Sequence, residues 1–164
     1  MSMEFRIRPL TIDDEAFLWE MLYQALFVPP GQPPFPRELV NEPEIRRYVE
    51  GWGADGDLGV VAICATSQTP VGAAWLRLLR ADESGYGWVD DETPELTIAV
   101  LPASRCKGIG TELLARLIEA ARAHYPAISL SVAAENPARG LYERFGFTTV
   151  AWDDHALTMK KDLK

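Results

Sequence analysis

The segment from residue 95 to residue 118 constrains the fold of this 164-residue chain more than any other. It joins an apolar, strand-like run to an amphipathic, helix-like run, and Gly108 and Gly110 stand where the helix should begin. Because glycine has no Cβ, successive backbone N–H groups can approach one ligand there, and the helix dipole favours an anion at the same point. Arg105 and Lys107 add positive charge. The segment therefore predicts a phosphate-binding strand–turn–helix unit in an α/β protein.

Two widespread nucleotide-binding motifs are absent from this segment. The Walker pattern Gly-x4-Gly-Lys-Ser/Thr does not occur, and Gly108-x-Gly110 lacks the third glycine of the dinucleotide fingerprint. A glycine-containing turn can also be a plain connection between a strand and a helix. The apolar run before the turn and the amphipathic run after it favour the ligand-binding interpretation.

The rest of the chain alternates between strand-like and helix-like patterns. A proline-rich stretch, residues 28–36, cannot continue a helix, and an acidic, aromatic loop, residues 82–94, precedes the central strand. We expect helices over residues 11–26, 37–51, 108–124 and 137–145, and strands over residues 5–9, 58–65, 71–79, 95–101, 128–132, 147–152 and 156–160.

The phosphate-binding segment resembles the acetyl-CoA-binding motif of the GNAT superfamily of N-acetyltransferases. Arg105, Gly108 and Gly110 meet its pattern Arg/Gln-x-x-Gly-x-Gly/Ala, and a second family-like block follows at residues 136–147. The resemblance implies that residues 1–164 form a single GNAT acetyltransferase domain with a mixed α/β fold. Its central sheet would be mostly antiparallel, with six to seven strands, a parallel splayed central pair and about four flanking helices.

The resemblance also implies acetyl-CoA as the cosubstrate, without a metal. Backbone amides of the loop would hold the pyrophosphate, while the central strand would run beside the pantetheine arm. Asn136 would contact the coenzyme, although it can equally cap a helix that starts at Pro137. The residues assigned to the coenzyme are Ile98, Ala99, Val100, Arg105, Cys106, Lys107, Gly108, Ile109, Gly110, Thr111 and Asn136.

Tyr142 is the candidate general acid, again by resemblance, because a tyrosine at this position in the family often faces the coenzyme thiol. A phenol with a pKa near 10 suits a proton donor to a leaving thiolate. The alternative is that Leu141, Tyr142 and Phe145 only pack on one side of a short helix.

Glu95 is the candidate general base, since some GNAT enzymes use a glutamate near the start of this strand. Strand alternation places Glu95, Thr97 and Ala99 on one face, so the carboxylate could point into an acceptor cleft. The alternative is an exposed carboxylate at a strand edge.

The charge of the chain limits its partners. A net charge of −8 and a pI near 4.8 argue against binding to nucleic acid, and no apolar run reaches membrane-spanning length. The acidic loop at residues 82–92 suggests a small cationic amine as acceptor, while a peptide or protein amine is also open. The resemblance therefore predicts acetyl transfer to a primary amine by direct attack in a ternary complex; a non-catalytic acyl-CoA-binding or sensing module is the alternative.

Two cysteines, Cys64 and Cys106, stand apart in the sequence and form no metal-binding pattern. Free thiols are typical of a reducing compartment, so we expect a cytoplasmic protein. The family resemblance also makes a homodimer possible.

Overall fold

One seven-stranded sheet organises the computed structural model, which describes residues 4–164. Its strands lie in the order β1-β2-β3-β4-β5-β7-β6, and neighbours are antiparallel except for the parallel pair β4 and β5. The predicted mixed α/β fold with a parallel central pair is confirmed. The strands are β1 (Phe5–Pro9), β2 (Leu58–Cys64), β3 (Pro70–Arg77), β4 (Glu95–Val100), β5 (Ala127–Ala133), β6 (Thr148–Trp152) and β7 (Ala156–Asp162).

Four α-helices flank this sheet within residues 4–164: α1 (Glu15–Ala25), α2 (Pro43–Arg46), α3 (Ile109–Ala121) and α4 (Ala138–Arg144). The helix expected over residues 37–51 is instead a 3-10 turn, Arg37–Asn41, followed by the single turn of α2. Glu42 separates the two with an extended ψ of 138°. The ring of Pro43 disfavours a helical conformation at the preceding residue, so the prediction of one continuous helix was wrong.

The two faces of the sheet have separate apolar cores. On one face α3 buries Leu113, Leu114 and Leu117 completely, which follows from their spacing along one side of the helix. On the other face α1 buries Leu18 and Met21 against β3 and β4. The central strand is therefore covered on both sides. No helix in the described part of the chain is long and apolar enough to cross a membrane.

The parallel pair of strands is joined at one point only. Glu95 of β4 pairs with Ser129 of β5, and the N–H of Ser129 donates to the carbonyl of Pro94 at 3.0 Å. Beyond that point the two strands have no paired register, although each continues for several residues. The central pair is therefore splayed toward the carboxyl end of β4.

Arg77 fixes the segment after α2, which borders the opening on the α1 side. Its guanidinium forms a double hydrogen bond to Asp57, each at 3.1 Å, and donates to the carbonyls of Arg47 and Glu50 at 3.1 and 2.5 Å. The indole of Trp75 donates to the carbonyl of Tyr48 at 2.9 Å. These bonds satisfy a buried charge and hold Tyr48 in place.

Candidate functional site

A cavity of about 1070 Å³ occupies the opening between β4 and β5. At one end it is bounded by the turn before α3, and at the other by α1 and the segment that follows it. Pockets for a single drug-sized ligand span about 300 to 1,000 Å³, so this volume suits a long ligand or two ligands side by side. Both candidate catalytic residues, Glu95 and Tyr142, line it.

The loop from Cys106 to Thr111, called the phosphate loop below, has a backbone shaped for an anion. Cys106 and Gly108 have positive φ angles of 62° and 83°, and Gly108 is the N-cap of α3 without a side-chain capping bond. Among the described residues, none accepts a hydrogen bond from the backbone N–H groups of this loop. A Cβ added at Gly108 or Gly110 would meet no atom within 4 Å. A row of free donors beside open space fits the diphosphate of coenzyme A.

The cations near this loop are partly engaged elsewhere. Arg105 donates from Nε to the carbonyl of Val100 at 3.0 Å and from Nη2 to Gln24 at 3.3 Å, so it bridges the loop to the end of α1. Lys107 donates to the carbonyl of Ala103 at 3.4 Å. Both side chains belong to exposed residues beside the phosphate loop.

The central strand presents a free backbone edge to the cavity. The N–H of Leu101 donates to the carbonyl of Val71 at 2.8 Å. Because hydrogen-bonded pairs alternate along an antiparallel pair of strands, the odd-numbered residues of β4 are the ones that hydrogen-bond to β3. The N–H and C=O groups of Ile98 and Val100 therefore face β5, where the strands have separated, and of these groups the carbonyl of Val100 accepts the bond from Arg105. Ala99 lines the cavity too, but its main chain pairs with β3.

Tyr142 lies in α4 with its ring packed edge-on against Phe147, at a centroid distance of 5.9 Å. The residue is 8% exposed, and its hydroxyl makes no hydrogen bond within residues 4–164. Burial raises the pKa of Tyr142 to about 12. The hydroxyl is therefore protonated at neutral pH and free to donate into the cavity.

Asn136 also lines the cavity, and it has a structural role as well. Its Oδ1 accepts a hydrogen bond from the N–H of Ala138 at 3.0 Å, at the start of α4. Asn136 therefore caps α4 as well as lining the cavity. The capped N–H is that of Ala138, two residues further along the chain.

Glu95 is 1% exposed, and its carboxylate accepts three hydrogen bonds. Oε1 accepts from the hydroxyl of Tyr48 and the N–H of Gly87, both at 2.8 Å, and Oε2 accepts from the N–H of Gly85 at 3.0 Å. The Tyr48 hydroxyl in turn accepts from the N–H of Tyr86 at 2.7 Å. One carboxylate and one phenol thus bind three consecutive backbone amides, and the interpretation of Glu95 as an exposed carboxylate is wrong.

Opposing effects act on the acidity of this group. Burial raises the pKa of Glu95, while the hydrogen bonds from Tyr48, Gly87 and Gly85 lower it, and the net direction is upward. Burial together with the Glu95 carboxylate raises the pKa of Tyr48 well above its usual range. Tyr48 therefore remains a neutral donor to the carboxylate.

Sequence reasoning missed Tyr48, Gly85 and Gly87 as parts of this cluster. A Cβ at Gly87 would lie 2.5 Å from the carbonyl carbon of Leu130, and one at Gly85 would collide with Tyr48 and Glu95. The signal was present as two glycines on either side of Tyr86, which mark a close approach of backbone to another group.

The acidic loop does not bring its carboxylates into the cavity. Asp91 accepts hydrogen bonds from the N–H of Ala81 at 2.9 Å and the indole of Trp88 at 3.3 Å. Asp90 accepts from the N–H of Glu92 at 2.9 Å. These acids stabilise the loop itself. Elsewhere in residues 4–164, no group of three or more His, Cys, Asp and Glu side chains is arranged to hold a metal ion.

Solved structures share this fold at low sequence identity. The GNAT domain of PAT from S. lividans is 18% identical, with 96% of this chain and 90% of that chain covered and a TM-score of 0.66. The structure of yncA from Salmonella typhimurium, solved with its cofactor acetyl-CoA, is 22% identical, with 98% of this chain and 94% of that chain covered and a TM-score of 0.64. The spermidine/spermine N-acetyltransferase SpeG from Vibrio cholerae is 17% identical, with 98% of this chain and 93% of that chain covered and a TM-score of 0.61.

The structural likenesses show the fold, and comparison of the sequence shows the family. No curated protein matches the chain in sequence. Residues 19–147, however, match the acetyltransferase (GNAT) family, and this region includes β4, the phosphate loop and Tyr142. Because the match covers most of the chain, the protein belongs to the GNAT family of acetyltransferases.

Proposed function

We propose that the protein transfers an acetyl group from acetyl-CoA to a primary amine, by direct attack in a ternary complex. The observation that carries this proposal is the single cavity that joins the phosphate loop to Glu95 and Tyr142. Its volume can accept the arm of a coenzyme together with a small second molecule. An enzyme that holds both reactants in one site gains most of its rate from their positioning.

The coenzyme would be held by backbone groups more than by side chains. The free N–H groups of Cys106, Gly108 and Gly110 suit the diphosphate. The N–H groups of Ile98 and Val100 and the carbonyl of Ile98 suit the amides of the pantetheine arm. Acetyl-CoA, when bound, supplies the acetyl group as a thioester.

Tyr142 would hold the proton that a departing thiolate needs. With its pKa raised to about 12, the hydroxyl is protonated at neutral pH, and it has no partner in the described structure, so it can donate a hydrogen bond. Replacing a positioned proton donor costs about 10²- to 10⁴-fold in rate when the proton transfer is limiting.

Glu95 would take the proton of the attacking amine at Oε2, directly or through one water molecule. That oxygen accepts only one of the three hydrogen bonds, so it keeps a free lone pair. Burial raises the pKa of the carboxylate, which makes it a stronger base than an exposed glutamate.

The compartment and the assembly state remain predictions. Cys64 and Cys106 are both free thiols, which supports a reducing compartment such as the cytoplasm. A homodimer is tested by measuring the mass of the protein in solution.

Calorimetric titration with acetyl-CoA, followed by an assay of amine-dependent thiol release, tests the proposed function. Gly108→Glu places a negative charge in the phosphate loop and should weaken acetyl-CoA binding by at least about 100-fold, because the carboxylate repels the diphosphate and its side chain fills the open space. Gly31→Glu is the matched control, because Gly31 also has a positive φ, of 84°, and open space around it. Equal loss in both variants, or binding without turnover of any amine, would contradict the proposal; the second result would favour an acyl-CoA sensor.

Tyr142→Phe should lower kcat by about 10²-fold while the affinity for acetyl-CoA stays nearly unchanged. The variant breaks no hydrogen bond within residues 4–164, so the thermal midpoint should also stay unchanged. Single-turnover kinetics measure the effect. An unchanged kcat would show that the ring serves only to pack against Phe147.

A further inference from the structure

We propose that the acceptor is a small amine with one amino group and an apolar, preferably aromatic, body, and that polyamines are poor substrates. This inference rests on the proposed function, because it names the second substrate of the same cavity. It is carried by the side chains that line the cavity on the α1 side of the sheet.

Apolar and aromatic side chains form the wall on this side. They come from α1, from the segment after it, from α2 and from the loop before β4, and they include Leu22, Tyr23, Phe27, Phe35, Ile45 and Tyr86. Such a wall gains free energy by removing hydrocarbon from water and offers little to a charged chain.

Three polar side chains of this wall already have protein partners, and the hydroxyl of Tyr86 has none within residues 4–164. The hydroxyl of Tyr23 donates to the carbonyl of Phe35 at 2.6 Å, and Gln24 is engaged by Glu20 and Arg105. The hydroxyl of Tyr48 lies between Glu95 and the N–H of Tyr86. A ligand with several polar groups would therefore leave most of them unpaired.

The charges that line the cavity also disfavour a polycation. Among the described residues, Glu95 is the only carboxylate in the lining, and it already accepts three hydrogen bonds. The other two charged side chains in the lining, Arg105 and Arg144, are positive. One ammonium group can lose its proton at Glu95 before it reacts, but a second would be desolvated without a carboxylate to balance its charge.

Two exposed aromatic rings flank this wall and explain the preference for an aromatic body. Phe35 is 39% exposed and Tyr86 is 62% exposed, yet both line the cavity. They belong to separate segments, and each is held by its backbone: Phe35 through the hydroxyl of Tyr23, and Tyr86 through the hydroxyl of Tyr48. Large exposed rings in fixed positions favour stacking against a planar ligand.

The test compares 2-phenylethylamine and isoamylamine with putrescine and spermidine as acceptors at saturating acetyl-CoA. We expect kcat/KM for 2-phenylethylamine to exceed that for spermidine by at least about tenfold, because a second desolvated charge costs more than that ratio. Calorimetry in the presence of coenzyme A should show the same order of binding. A higher kcat/KM or tighter binding for spermidine would overturn the inference and leave the acetyltransferase activity standing.

Phe35→Ala should raise KM for 2-phenylethylamine by about threefold to tenfold, which is the usual worth of an aromatic contact. The matched control is Trp152→Ala, which removes an aromatic ring that is 76% exposed and outside the cavity. Equal effects of the two variants would contradict the assignment of the wall. If no amine is acetylated although acetyl-CoA binds and Gly108→Glu abolishes that binding, the proposed function fails together with this inference.

Discussion

The phosphate loop and the Glu95 cluster both depend on paired glycines, but they use them in opposite ways. At Gly108 and Gly110 an added Cβ would meet nothing within 4 Å, and the neighbouring N–H groups have no acceptor in the described chain. At Gly87 an added Cβ would come within 2.5 Å of β5, and the N–H groups of residues 85–87 all have acceptors.

The phosphate loop leaves its donors and its open space unfilled, whereas the Glu95 cluster is completed by groups of the protein itself. Free donors beside empty space suit an anion that arrives from solution. Donors that already surround a buried carboxylate instead fix a loop against the sheet. Glycine therefore leaves room for a ligand in the first region and for neighbouring protein atoms in the second.

The largest expected effect comes from Glu95→Gln. We expect kcat to fall by about 10²- to 10⁴-fold, because the proton acceptor is lost and Gly85 loses its carboxylate partner. Acetyl-CoA affinity should stay within about twofold, since the phosphate loop is untouched. Glu92→Gln, an exposed acid outside the cavity, is the control for steady-state kinetics. Equal kcat values for the two variants would remove Glu95 from the mechanism.

Replacing glycine by alanine should have opposite effects on stability in the two glycine pairs. Gly87→Ala should lower the free energy of unfolding by about 1–3 kcal/mol and reduce turnover, because the methyl group meets the backbone of β5. Gly110→Ala should raise that free energy by about 0.4–1 kcal/mol, because it lies in α3, where alanine is favoured.

Acetyl-CoA affinity should respond in the opposite pattern. The methyl group of Gly110→Ala would occupy the open space of the phosphate loop, so binding should weaken, while Gly87→Ala should bind acetyl-CoA normally. Urea denaturation and calorimetry measure the two quantities. If both variants lose stability, or both lose acetyl-CoA affinity, the proposed difference between the two glycine pairs is wrong.

A smaller effect is expected for Tyr48→Phe. The change removes the donor to Glu95 and leaves the N–H of Tyr86 without its acceptor, which should cost about 1–3 kcal/mol of stability. We expect kcat to fall by about tenfold at most, because the carboxylate itself remains. Tyr125→Phe loses a hydrogen bond to Gly56 on another part of the surface and should leave kcat unchanged.

The smallest effect concerns pH and stability. The folded-state pKa of Glu95 is raised, so between the ordinary value of 4.5 and that raised value the folded protein binds more protons than the unfolded chain. Wild type should therefore lose stability relative to Glu95→Gln as the pH rises through this interval. Chemical denaturation of both proteins at several pH values measures the difference. A relative gain for wild type with rising pH would contradict the upward shift.

The phosphate loop could be predicted from the sequence because all its parts are local. Strand, turn and helix start follow one another within a short segment, and each has its own residue signature. The face on which Glu95 lies was also predictable, since alternation along a strand is a local property.

The partners of Glu95 could not be predicted in this way. Tyr48 is 47 residues away in the chain, and its position depends on bonds to Trp75 and on the neighbouring network around Arg77. Likewise, Arg105 meets Gln24 across 81 residues. Side-chain contacts of this kind depend on the packing of whole elements, which periodicity does not describe.

The single register between β4 and β5 has a mechanical consequence. Strands β1 to β4 and strands β5 to β7 are two half-sheets that share only the rung at Glu95 and Ser129. A molecule that hydrogen-bonds to the N–H groups of Ile98 and Val100 would lie between the two half-sheets and join them. If the proposed function holds, we expect acetyl-CoA in the cavity to hold the two half-sheets together, and slower amide hydrogen exchange along β4 would report it.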